Sequence, residues 1–182
     1  MMNPMELPAA PARLLSRRRL ITSLAIALGG VAPDSAARAD APAMKQAPAS
    51  AANRKRTFLH QEISLAASPQ RIYEVLLDAK QFAAFTGMAA EIDPAPGGAF
   101  STFDGLIVGR SVELIPSQRI VQAWRPTHWD AGVYSMVKFE LKPRDSGTLL
   151  VLDHSGFPQG EYDHLYPGWK LRYWDPLRKF LA

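Results

Sequence analysis

The feature that most narrows the possible folds is a change of hydrophobic period near Gly87. Before it, apolar residues recur at helical spacing. Ser68-Pro69 supplies an N-cap and a proline at the first helical position, and Ile72, Val75, Leu76 and Ala79 follow on one face. A second short helix is expected over residues 80–86, with Phe82 and Phe85 on the same side and Gly87 placed to end it. After Gly87 the period falls to two. Residues 99–103, 106–114, 119–125, 134–141 and 148–154 read as strands, as do residues 57–65 ahead of the helices. Pro96-Gly97-Gly98, Pro116-Ser117-Gln118 and Asp145-Ser146-Gly147 read as turns, and Asp104-Gly105 is a hairpin signal. Near the end, Trp169, Tyr173, Pro176, Leu177 and Phe180 return to helical spacing, in a helix expected to be kinked or locally opened near Pro176.

The order is therefore one strand, two short helices, a run of strands, then one long helix. Short connections make the sheet antiparallel and meandering. Such a sheet has one apolar face and the last helix one apolar stripe, so packing the helix across the sheet buries both. The expectation is an α+β fold of about six or seven strands curved around the C-terminal helix, with a cavity between the two.

The first residues follow other rules. Arg13 to Arg19 form a positive segment, residues 20–32 carry no charge, and Ala37-Arg38-Ala39 offers small residues for cleavage between Ala39 and Asp40. Ser16-Arg17-Arg18-Arg19-Leu20-Ile21 is similar to the twin-arginine consensus, with Arg17 and Arg18 as the recognised pair. The alternative is a general secretory signal with a chance arginine triplet. The apolar run is too short to span a bilayer, which needs about 20 residues, and without a cysteine no lipid anchor is expected. Residues 1–39 are read as the signal, 40–56 as a disordered Ala/Pro/Ser/Gln-rich linker, and 57–182 as the domain. Export through the twin-arginine translocase gives a periplasmic or secreted protein.

The net charge of +4 belongs to this leader and linker, each of which carries +3, so the domain sums to about −2. A nucleic-acid-binding face needs positive charge on the folded part, and none is expected here. The absence of cysteine excludes disulfides, zinc–thiolate sites and thiol catalysis. There is no phosphate-binding loop, dinucleotide fingerprint or serine elbow. His60, His128, His154 and His164 lack metal-ligand spacing. No catalytic residue, metal or cofactor is assigned.

Several residues remain candidates for binding. Asp153-His154-Ser155 has the residue types of a catalytic triad, but neighbours on a strand point to opposite faces. His154 either stands polar at a cavity mouth or holds the Gly156-Phe157-Pro158 turn. Arg110 either meets an acidic head group or faces solvent. Phe85, Phe103, Trp124 and Phe139 either line a cavity or fill the core, and Trp174, offset from the main stripe, is a candidate for a groove. Trp129, in a loop, either gates the cavity or folds back onto the sheet.

Ala67-Ser68-Pro69, Pro96-Gly97-Gly98, Asp104-Gly105 and Glu113-Leu114-Ile115-Pro116 form a series. It continues through Arg119-Ile120-Val121, Trp124-Arg125, His154-Ser155-Gly156-Phe157-Pro158 and Gly168-Trp169. In this order the motifs resemble the C-terminal domain of the activator of 90-kDa heat-shock protein ATPase, within the START-like (SRPBCC) helix-grip superfamily, from Phe58 to Leu181. The resemblance implies the helix-grip fold, with Leu150, Leu152 and His154 on its inward face. It further implies one of three activities. The leading expectation is non-catalytic binding of a small hydrophobic molecule or lipid between sheet and helix, through Phe85, Phe103, Arg110, Trp124, Phe139, His154 and Trp174. The second is a protein-interaction, co-chaperone-like module. The third is a cyclase-like enzyme acting on a hydrophobic substrate.

Overall fold

The computed structural model describes residues 51–182. The signal-peptide residues Arg17, Arg18, Ala39 and Asp40, and most of the expected linker, lie outside the described residues. The described residues begin within the expected linker. Ala51–Arg54 forms a short helix, α1. The last residues of the expected linker are tied to the domain: the Arg56 guanidinium donates to the Tyr162 hydroxyl at 3.0 Å, and Gly160 N–H donates to the Arg54 carbonyl.

Strand β1 (Phe58–Leu65) leads into helices α2 (Pro69–Leu77) and α3 (Ala79–Thr86). The Ser68 side chain caps α2 through Arg71 N–H, with Pro69 in the first turn. Asp78 ends α2 and caps α3 by accepting from Gln81 N–H at 2.8 Å. Gly87 closes α3 with φ +74°, a conformation that costs glycine little.

The strands then follow as β2 (Glu91–Ile92), β3 (Ala99–Thr102), β4 (Ile107–Ile115), β5 (Arg119–Pro126), β6 (Ser135–Arg144) and β7 (Gly147–Ser155). They form one seven-stranded antiparallel sheet in the order β1-β7-β6-β5-β4-β3-β2. Six of the strands coincide with the alternating segments of the sequence. The seventh, β2, has two residues, too few to show a period. Between Ser111 and Glu113 the β4–β5 register shifts, leaving Val112 exposed as a bulge.

Across the inward face the register aligns Leu59, His154 and Val137 in one row, and Leu152, Phe139 and Ile120 in another. A third row runs Ser135, Trp124, Gly109, Phe100. Gly109 is required there, because a Cβ would lie 2.4 Å from the Phe100 ring and 2.1 Å from the Ala123 carbonyl. The outward face carries ion pairs: Asp153 meets both His60 at 2.7 Å and Lys138 at 3.0 Å.

The final helix packs on the inward face in three consecutive pieces: α4 (Tyr162–Trp169), a π-helical turn (Lys170–Trp174) and α5 (Asp175–Leu181). The opening expected near Pro176 is this π turn. Proline has no N–H to offer the carbonyl four residues back, and Asp175 N–H instead reaches the Lys170 carbonyl. One residue more in the turn brings both Tyr173 and Trp174 into the core, and it lets Trp174 stack on Trp169 at 5.6 Å. Gln61, on β1, clasps this helix twice, accepting from Trp174 Nε1 at 2.5 Å and donating to the Tyr166 carbonyl at 2.8 Å.

Candidate functional site

The space between sheet and terminal helix is mostly filled. Phe82, Phe85, Phe103, Phe139, Trp169, Tyr173 and Trp174 contact one another in a continuous aromatic cluster. What remains is a half-open cleft of about 170 Å³ at one end of the helix. That volume compares with cavities of roughly 150 Å³ that hold one benzene ring.

Three elements build the cleft. The β3–β4 hairpin gives Phe103 and Leu106. The end of β5 and the loop after it give Trp124, Pro126, Thr127 and His128. The helix presents one face, with His164, Leu165, Gly168, Trp169, Arg172 and Tyr173. The hairpin wall is strained. Phe103 has φ +55°, a left-handed conformation that is an outlier for a bulky side chain, followed by Asp104 at +55° and Gly105 at +85°. The strand candidate 99–103 thus ends one residue short, and the turn is held by Asp104, whose carboxylate accepts from Ala89 N–H at 2.7 Å.

Beside the inner wall lies a small polar cluster. The indole N–H of Trp124 and the hydroxyl of Thr102 are buried and reach no partner in good hydrogen-bond geometry. Both lie close enough to the Tyr173 hydroxyl to interact with it, while burial makes the ionisation of that hydroxyl harder.

Behind Trp124 the polar groups are fully satisfied. His154 is completely buried. Its Nδ1 accepts from Trp169 Nε1 at 3.1 Å, which places the proton on Nε2, and Nε2 donates to Ser135 Oγ at 2.8 Å. Ser135 in turn donates to the Trp124 carbonyl at 2.9 Å. Burial pushes the imidazole down to about 3, so it stays neutral at physiological pH. Asp153, its neighbour, faces the other side of the sheet. Burial tends to raise the Asp153 carboxyl, but hydrogen bonds from His60 and Lys138 outweigh this and hold it below its ordinary value.

Of the residues singled out from sequence, Phe103 and Trp124 line the cleft. The other five do not. His154 sits behind the cleft, tying β6, β7 and the helix together beside Phe157, which is the structural alternative. Phe139 and Trp174 are core residues packed on Trp169. Phe85 packs between Phe82, Tyr173 and Phe180. Arg110 points outward, because Gly109 takes the inward position beside it, and donates to the Gly97 carbonyl at 2.9 Å. Trp129 folds back and buries against Trp124.

Sequence reasoning missed Leu106, His128, His164, Arg172 and Tyr173 as parts of one site. His128 and His164 are far apart in the chain, yet their rings face each other at 6.3 Å by the mouth. The helical spacing of residues 165, 169 and 173 was the one usable signal, since residues 168 and 172 share that face. Among the described residues, no group of three or more His, Asp or Glu side chains is placed to hold a metal ion.

Residues 66–182 match the family model described as activator of Hsp90 ATPase homolog 1-like protein. An uncharacterized protein from Schizosaccharomyces pombe is 36% identical over 52% of this chain and 28% of its own length. The human activator of 90 kDa heat shock protein ATPase homolog 1 is 27% identical over 69% of this chain and 35% of its own. The chain spans about a third of the length of the curated relatives it matches. Among solved structures, an HSP90 activator from Plasmodium falciparum superposes with a TM-score of 0.66 at 24% identity, over 69% of this chain and 96% of that one. The Aha1 dimer from Colwellia psychrerythraea superposes with a TM-score of 0.60 at 17% identity, over the same shares of each chain. At these identities the structures speak for the fold alone, but strand order, short helices and terminal helix agree with the family match, and the chain belongs to the activator of Hsp90 ATPase homolog 1-like family, with its START-like helix-grip fold.

Proposed function

We propose that the chain is a non-catalytic recognition domain that seats a small apolar group in the cleft between the β3–β4 hairpin and the terminal helix. The observation that carries this reading is the apolar, ring-sized cleft itself, walled by the buried Trp124 and by a Phe103 held at φ +55°. A bulky residue held in the left-handed region is uncommon, and such strain clusters at ligand clamps. The cleft suits a ring-sized group rather than a whole lipid, which narrows the expected hydrophobic ligand. Native mass spectrometry of gently purified protein, followed by displacement with small aromatic compounds, tests the reading. A bound small molecule, or saturable quenching of tryptophan fluorescence, supports it. Absence of both across a panel of ring-sized compounds ends it.

A second reading is a protein-interaction module of the co-chaperone kind. Family membership favours it, and so does the filled aromatic core, with Leu106 half-exposed at the cleft and Leu171 66% exposed on the helix. The partner by analogy is a chaperone of the Hsp90 type. In-cell crosslinking from a photo-reactive residue at position 106 tests it: one reproducible protein adduct favours this reading over the small-molecule one.

The leader pattern supports export. Fused to a reporter that functions only after export in the folded state, the first forty residues should direct it outward. Replacing Arg17 and Arg18 by lysine should abolish this if the twin-arginine route is used.

A further inference from the structure

The mouth of the cleft carries a charge that nothing among the described residues answers. Arg172 stands on the π turn, lines the cleft and is exposed. Among the described residues no hydrogen bond or carboxylate engages it. His128 and His164 flank the same opening. Of these two, His128 has an acid close by, Glu161, 3.6 Å from its Nε2. Several other basic groups of the domain are engaged: Arg56 by Tyr162, Lys170 by Asp175, Arg110 by Gly97 and Arg119 by Glu113. The interior of the cleft is apolar and ring-sized, with Trp124 at its inner wall.

From this arrangement we infer that the group recognised is a small amphipathic carboxylate: a ring-sized apolar body that enters against Phe103, Trp124 and Trp169, with its carboxylate held at the mouth by Arg172. The inference rests on the recognition reading above and deepens it. Arginine suits the task because its planar fork can donate two parallel hydrogen bonds to one carboxylate. The π turn places it there. It keeps Arg172 on the line of Leu165, Gly168 and Trp169 while turning Trp174 into the core behind. The same chemistry has two sources: a free aryl or alkyl carboxylic acid, or the C-terminal carboxylate of a peptide ending in an apolar residue.

The test is an NMR titration of the full chain, following tryptophan indole N–H resonances. The probes are 3-phenylpropionate, its uncharged amide, and a short peptide ending in phenylalanine as acid and as amide. The acids are expected to shift the Trp124 and Trp169 resonances saturably and to bind at least tenfold more tightly than the amides. Arg172→Gln should reduce that preference to about one, with its unfolding midpoint unchanged because the side chain is exposed. Tighter binding of the peptide acid than of 3-phenylpropionate assigns the carboxylate to a protein terminus, and the reverse to a free acid. Equal binding of acid and amide, or a preference that survives Arg172→Gln, overturns the carboxylate inference and leaves the recognition cleft standing. No shift with any probe overturns both.

Discussion

The indole N–H of Trp169 donates to Nδ1 of His154 at 3.1 Å, and this contact decides which nitrogen of a completely buried imidazole carries the proton. With Nε2–H donated to Ser135, the ring has no room for a second proton. The consequence is an acid-sensitive fold. The ordinary value of 6.5 is pushed down to about 3 in the folded chain, so the unfolded chain takes up the proton first as pH falls. Stability is complete above about pH 6.5 and declines toward pH 3, by up to about 1.4 kcal/mol per pH unit. His60 works in the opposite sense. Its bond to Asp153 raises it, so its contribution is present below 6.5 and lost as pH rises, but it is half exposed and its effect is screened. Urea midpoints should therefore fall between pH 7.5 and pH 5, and His154 should show neutral imidazole nitrogen shifts at pH 5. A protonated His154 at that pH, or a rising midpoint, contradicts the assignment.

Removing the imidazole strands its neighbours. His154→Leu takes the acceptor from the Trp169 indole and the donor from Ser135, and should cost about 2–4 kcal/mol. Ser135→Ala should cost about 1–2 kcal/mol. Because the two residues share one chain of hydrogen bonds, the double variant should lose less than the sum, as a double-mutant cycle by urea denaturation would record.

Gly109 is the closest approach in the sheet. Gly109→Ala should destabilise by about 2–3 kcal/mol, since its Cβ meets both the Phe100 ring and the Ala123 carbonyl. Adding Phe100→Leu should recover only part of the loss, because the carbonyl cannot withdraw. Full recovery would show that the ring alone is the obstacle.

The hairpin at the cleft separates a hydrogen bond from a backbone preference. Asp104→Ala loses the bond to Ala89 N–H and places a Cβ without local support at φ +55°, at a cost of about 1–2 kcal/mol. Asp104→Gly loses the bond but accepts the dihedral, and should cost less. Equal losses in thermal melts would mean that the backbone term is negligible.

Most of the architecture was legible because it rests on local rules. Ser68 and Asp78 cap helices as their side chains allow, Gly87 supplies a left-handed residue, and the period-two segments became strands within a residue or two. The cleft was not legible, for a reason visible in Arg110 and Arg172. Arg110 drew notice by its apolar neighbours, but which face a strand residue takes depends on register, and Gly109 had the inward place. Arg172 lay between Leu171 and Tyr173 with no motif to mark it, and only the packing of the π turn brings it to the mouth. Phe139 and Trp174 have the same composition signal as Phe103 and Trp124. The difference between filling a core and lining a cleft is a matter of a few ångströms in three dimensions.

The π turn also has a meaning for the length of the chain. A regular helix advances 100° per residue, and the residue inserted among Lys170–Trp174 sets α5 one step out of phase with α4. Leu171 is 66% exposed and Leu177 fully buried. The identity of residue 171 therefore matters little, whereas its presence matters a great deal. Deleting it would remove the extra residue of the turn and rotate everything that follows by about 100°, carrying Leu177 away from the sheet. The spacing of this segment is thus read by counting: it is indifferent to substitution at Leu171 and intolerant of a missing residue.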